Sequence, residues 1–168
     1  MSTRLIVTGG TIDKRYNPLT GELAFGETYL LEMLARARPD GDIAVEQLFM
    51  KESTDLDRAA IAAACGAAPE PGIVITHGTS AVSTMADVLA SAGLGTSKVI
   101  VLTGAVIPYS FGGSSDAMFN LGSAIAYSAA LPPGVYIAMH GTAFRSGNVR
   151  KDTGAGMFTV IDECREIK

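Results

Sequence analysis

Two segments end in hydroxyl groups placed where chemistry happens. VTGGTID (Val7–Asp13) and VITHGTS (Val74–Ser80) each run from apolar β-formers through glycine to a threonine, Thr11 and Thr79. A threonine at a strand exit is a nucleophile only where a neighbour takes its proton. NVRKDTG, near the chain end, offers Lys151 beside Arg150. A lysine drawn into an enclosed site can lose its proton and act as a base, whereas an exposed Arg–Lys pair is solvated surface. Each hydroxyl also has a plainer reading. TGGT alone fits a β-turn, or a glycine loop whose backbone N–H groups hold an anion. Thr79 or Ser80 fits an N-cap for a helix starting near Ala81. The two histidines, His77 and His140, both precede Gly-Thr, and neither has a metal-ligand partner at helical spacing. They read as structural residues satisfied by backbone groups at strand ends.

The elements that must position these groups alternate. Arg4–Thr8, Ile43–Phe49, Ile73–Thr76, Val99–Thr103 and Val135–Met139 are predicted strands. Thr28–Arg38, 55–68, Ala81–Ser91 and Asp116–Ala130 are predicted helices, the first stopped by Pro39 and the second opened by Asp55 as N-cap. Short extended pieces are expected at Asn148–Lys151 and Met157–Ile161. The predicted fold is α/β, an open, mostly parallel sheet between two helical layers. Ligands of such sheets bind beyond the carboxyl ends of the strands, so TGGT, THGTS and LTGA should open onto one edge. Gly9–Gly26 is polar, turn-rich and too long for an ordinary connection, which suggests a functional loop or lid.

Composition narrows the class. The 168 residues, 48% hydrophobic and 18% charged, suit one domain over 1–168 with its own core. A net charge of −4 with no basic stripe argues against nucleic acid. No apolar run is long enough to span a membrane, and the N-terminus does not read as a signal peptide. Cys65 and Cys164 lie far apart, as expected of free thiols in a reducing compartment. A cytoplasmic location is expected.

Six motifs, in order, carry a resemblance: TGGTI, STDL, THGT, LTGA with Pro108, SDAMFNL and NVRK. With matching positions from about Leu5 to Phe158, the sequence resembles the bacterial L-asparaginase family of threonine amidohydrolases. It is most similar to the short, single-domain members, and corresponds to the family's N-terminal domain without the usual C-terminal one. The resemblance implies that Thr11 attacks the side-chain amide carbonyl of L-asparagine, with L-glutamine as the alternative substrate, to form an acyl-enzyme without metal or organic cofactor. It implies Tyr16 as the tyrosine that activates Thr11, because the longer enzymes' tyrosine position carries Phe25 here. It pairs Thr79 with Lys151 for proton transfer. Ser53, Thr54 and Ser80 fall on substrate-binding positions, and Gly10, Gly78 and Ala105 on backbone contacts.

The sequence leaves the family's pattern at Ser80. The usual motif is HGTD, and its carboxylate binds the substrate ammonium and completes the threonine–lysine triad. A serine offers a neutral hydrogen bond in place of a charge-assisted one, a difference of about 1–2 kcal/mol. Three outcomes are open: a weak or altered-specificity amidohydrolase, an inactive amino-acid- or amide-binding module, or an introduced substitution. Asp13 and Asp116 are the carboxylates considered as substitutes. A one-domain chain must close its site with its own loop or with a second copy, so a homo-oligomer, a dimer or larger even assembly, is expected.

Overall fold

The computed structural model describes residues 2–52, 54 and 58–161. Strand β1 (Ser2–Gly9) opens the chain and is followed by a single 3-10 turn at Thr11–Asp13. The segment read from sequence as a long loop then folds into a hairpin, β2 (Lys14–Asn17) against β3 (Glu22–Phe25). Its tip is built locally. The Asn17 side-chain oxygen accepts from the Leu19 amide, and Gly21 returns the chain with its N–H on the Asn17 carbonyl.

Helix α1 (Leu30–Ala37) ends where Arg38 turns left-handed ahead of Pro39. Strand β4 (Asp42–Lys51) follows, then helix α2 (Arg58–Ala67), strand β5 (Gly72–Thr76) and helix α3 (Val82–Ser91). Asp55, the expected cap of α2, lies outside the described residues. The N-cap position of α3 is Ala81. Neither Thr79 nor Ser80 is therefore the capping residue that one reading of the sequence made it. Strand β6 (Val99–Thr103), helix α4 (Ala117–Ala130) and strand β7 (Gly134–Met139) complete the alternation.

Outside that first hairpin, one further strand has no counterpart in the sequence reading. β8 (Thr142–Arg145) pairs antiparallel with β7, Met139 opposite Thr142, across the two-residue turn His140–Gly141. Both turn residues have positive φ, 54° and 78°. That conformation matches the twist of a hairpin, and a His-Gly dipeptide is a weaker signal for it than Asn-Gly. A second hairpin, β9 (Val149–Asp152) and β10 (Met157–Val160), accounts for the two extended pieces expected near the end.

The main sheet has the order β4-β1-β5-β6-β7-β8, parallel except for β8. Every residue of β5, β6 and β7 is buried, as expected of strands covered on both faces. Alternation sorts their side chains into two cores. Ile6, Ile75, Ile100 and Ile137 face one side with Ile61 of α2 and Met85 and Leu89 of α3. Leu5, Val7, Val74, Val101 and Tyr136 face the other with Leu30 and Met33 of α1 and Leu121 of α4. Burial of such a side chain contributes roughly 1.5–3 kcal/mol, so both faces hold the sheet firmly. From β1 the chain moves outward to β4, then returns to the opposite flank of β1 as β5. The order thus reverses between β1 and β5, which is where an open α/β sheet forms its ligand crevice.

Candidate active site

Thr11 follows β1 and Thr79 follows β5, so the two hydroxyls flank that reversal point. Backbone packing brings the two exits together. Gly10 has φ 83°, and a Cβ on it would lie 2.5 Å from the Gly78 nitrogen and 2.7 Å from its Cα. A glycine at position 10 is what lets the β1 and β5 loops touch there. The β6 exit joins them, since a Cβ on Gly104 would collide with the His77 carbonyl. Ala105, one residue on, is fully buried.

Side-chain hydroxyls stitch the strand ends below the loops. Thr8 donates to the Thr76 carbonyl (2.6 Å), and Thr103 to the Ala138 carbonyl (2.8 Å). The β6 exit is further held from α4. Asp116 accepts from the amides of Val106 (3.0 Å) and Ile107 (2.9 Å) and from the Asn120 side-chain amide (2.8 Å). Asn120 also donates to the Gly104 carbonyl (3.0 Å) and accepts from the His140 amide (3.0 Å). Asp116 and Asn120 stand four apart on one helical face, a spacing readable in SDAMFNL, but their targets on two other elements are not.

Lys151 reaches Thr79: its Nζ donates to Thr79 Oγ1 at 2.7 Å. The pleat of β9 explains its direction. Val149 and Lys151 share one face of the strand, while Arg150 and Asp152 face solvent. Val149 packs into the first core, as does Phe158, which is the β10 partner of Lys151. Apolar anchoring of the hairpin therefore turns the lysine inward.

The Thr11 side is built differently. Thr11 is half-buried in its 3-10 turn, with Ile12 and Asp13 fully buried behind it. Tyr16 stands on β2, 57% exposed, opposite Leu23. It lines a shallow open cleft with Arg15, Tyr29, Ser110 and Phe111, and among the described residues no hydrogen bond joins it to Thr11. The hairpin touches the body through the Ser110 hydroxyl on the Lys14 carbonyl (2.8 Å) and an ion pair from Lys14 to Glu52. Thr54 lies exposed beyond β4, and Ser53 lies outside the described residues. Ser80 is exposed in the turn before α3.

Neither candidate carboxylate is available in place of one at position 80. Asp116 is occupied by the β6 loop. Asp13 accepts from the Thr28 hydroxyl (2.9 Å) and the Tyr29 amide (3.0 Å) through Oδ1, and burial, opposed by those two bonds, raises its pKa above the ordinary carboxylate value. His77 is buried and bonds the Gly78 carbonyl through Nδ1 (2.9 Å). A carbonyl only accepts, so Nδ1 carries the proton. Burial lowers the His77 pKa and favours the neutral ring, which suits a structural residue. Cys65 is likewise inert: it is buried and free, with its thiol pushed up to about 12 by burial. Cys164 lies outside the described residues. Among the described residues no cluster of His, Cys, Asp or Glu is placed to hold a metal ion, and no helix is long and apolar enough to cross a membrane.

Residues 3–161 match the family model for the N-terminal domain of asparaginase. Among solved structures, the chain is similar to the thermostable L-asparaginase from Thermococcus kodakarensis, at 27% identity and TM-score 0.77 over 96% of this chain and 51% of that one. It is similar to a probable cytoplasmic L-asparaginase from Campylobacter jejuni at 25% identity and TM-score 0.75, over 96% of this chain and 53% of that one. L-asparaginase I from Vibrio cholerae shares the fold, with TM-score 0.80 at 24% identity over 95% of this chain and 51% of that one. The chain thus spans about half the length of these relatives. No curated protein matches the sequence significantly.

Proposed function

Since the chain belongs to the asparaginase family through its N-terminal domain, we propose that it is an amidohydrolase converting L-asparagine to L-aspartate and ammonia through a threonine acyl-enzyme. The observation that carries this reading is the 2.7 Å bond from Lys151 to Thr79 at the strand edge shared with Thr11. In the proposed reaction Thr11 Oγ attacks the side-chain amide carbon and its proton leaves through Tyr16. The tetrahedral oxyanion is held by backbone N–H groups at the converging glycine exits. Collapse breaks the C–N bond, the nitrogen takes a proton, and ammonia departs. Water then adds to the Thr11 ester and loses a proton to the Thr79–Lys151 pair; the bond from Thr11 Oγ to the acyl carbon breaks, Oγ takes that proton back, and aspartate leaves. In accepting that proton Lys151 acts as the neutral amine, which can still donate an N–H to Thr79 Oγ1.

Tyr16 requires movement of the hairpin to act. Closing that hairpin over the crevice would bring its hydroxyl inward and exclude water. Ser53, Thr54 and Ser80 are proposed to hold the substrate's polar groups, with Gly10, Gly78 and Ala105 supplying backbone contacts. We also propose that residues 1–168 act as one asparaginase-like domain, cytoplasmic, whose crevice is closed by its own hairpin or by a second copy in an even-numbered assembly.

Ser80 favours a second reading: a catalytically weak or inactive module that binds an amino acid or amide on the same scaffold. Ammonia release from L-asparagine and L-glutamine separates the two. Release that disappears in Thr11→Ala supports the amidohydrolase. Binding without release in the parent chain and in Ser80→Asp supports the module.

A further inference from the structure

We infer that Asp13 is a positioning residue, whose buried carboxylate closes the neck of the 14–27 hairpin onto the turn that carries Thr11. Its catalytic consequence rests on the amidohydrolase reading above, whereas its geometry does not. Asp13 is fully buried, two residues from Thr11, and bonds in two directions at once. Its main-chain N–H donates to the Gly10 carbonyl (3.2 Å), which keeps the Thr11 turn tight. Its Oδ1 accepts from Thr28 and Tyr29, the residues on which the chain returns from the hairpin. Thr28 passes the restraint on, because its hydroxyl accepts from the Leu30 amide at the start of α1 (3.2 Å). One side chain thus joins the outgoing and returning limbs where they meet the body of the protein.

The second oxygen makes the choice of residue informative. Oδ2 is buried with no partner among the described residues, and burial penalises the charge. An apolar residue would avoid that cost but could not accept from both limbs. Beyond the neck, the polar ties from the hairpin to the body among the described residues are the Ser110 bond and the Lys14–Glu52 ion pair, both on β2. The return limb is therefore secured chiefly at Asp13. A residue acting only as a cap for α1 would loosen that helix. A residue closing the neck controls the hairpin that bears Tyr16.

The full-length chain tests this in three variants, by amide hydrogen exchange and by ammonia release. Asp13→Ala is expected to speed exchange over 14–25 by about tenfold and to lower kcat for asparagine by roughly tenfold or more, through misplacement alone. Asp13→Asn keeps the accepting oxygen and is expected to restore both to within about threefold of the parent. Thr28→Val, which removes one of the two donors, should move both readouts in the direction of Asp13→Ala and by less, and it decides the matter if Asp13→Ala does not fold. Faster exchange confined to 30–37 would make Asp13 a helix cap and overturn the inference. So would an opened hairpin with unchanged kcat in an active enzyme. If the parent releases no ammonia from any amide, the amidohydrolase reading fails by itself. Exchange over 14–25 then decides the neck, unchanged protection in Asp13→Ala overturning it and lost protection supporting it.

Discussion

The two sides of the crevice are made of different material. Thr79 follows a strand buried along its whole length, and its partner Lys151 rides on a hairpin nailed to the core by Val149 and Phe158. Their bond is already formed at 2.7 Å. Thr11 follows a strand buried over most of its length, but Tyr16, 57% exposed, sits on a hairpin that contributes no described residue to either core cluster. Apolar anchoring preorganises a side chain, whereas a few polar ties at a neck leave it free to move. On the proposed mechanism the proton-transfer pair is thus ready before substrate arrives, whereas the activating tyrosine must be brought in.

Thr11→Ala should have the largest effect, a loss of at least about 10³-fold in ammonia release, measured at saturating asparagine, because in the proposed mechanism no other group forms the ester. Retained activity would remove Thr11 as nucleophile and collapse the contrast between the sides. Phe158→Ala should cost about 3–5 kcal/mol of stability in denaturant melts and uncouple Lys151 from Thr79. Tyr16→Ala should change stability by no more than about 0.5 kcal/mol, and equal losses in the two variants would break the comparison. Lys151→Met, which preserves the aliphatic stem, should lower kcat about 10²-fold with small change in melting temperature. Ser80→Asp should raise kcat/KM for asparagine by roughly tenfold, the worth of one charge-assisted bond, and should do less for an analogue lacking the α-ammonium. A gain of equal size on both would mean that the carboxylate acts on the Thr79–Lys151 pair and not on the substrate.

The smallest expected effect is on stability against pH. Burial lowers the pKa of His77 in the fold from 6.5. The unfolded chain then binds the proton more readily, so stability is complete above about pH 6.5 and declines as pH falls through and below it. His77→Gln should flatten that part of the profile, read as melting temperature between pH 7.5 and 5. A slope unchanged by the substitution would assign it to another group.

Much of this was legible in the chain before any coordinates. Apolar runs such as GIVIT and VIVLT, separated by helical spacing and punctuated by Pro and Gly, determined a parallel sheet with helices on both faces, because burial on two sides selects apolar residues along most of a strand. Ordered motifs determined the family and pointed to Thr11, Thr79 and Lys151 together, although they lie far apart in sequence. Local chemistry stopped short elsewhere. His140–Gly141 did not announce β8, since His-Gly is a weaker hairpin signal than Asn-Gly. The 9–26 segment read as loop because Lys14–Asn17 and Glu22–Phe25 are too short and polar to declare a hairpin. Tertiary structure alone decided that Gly10 meets Gly78, that the pleat turns Lys151 inward, and that Asp13 and Asp116 serve the backbone. Each depends on which groups from distant segments become neighbours, and a buried carboxylate takes whichever N–H or O–H donors the packing leaves within reach.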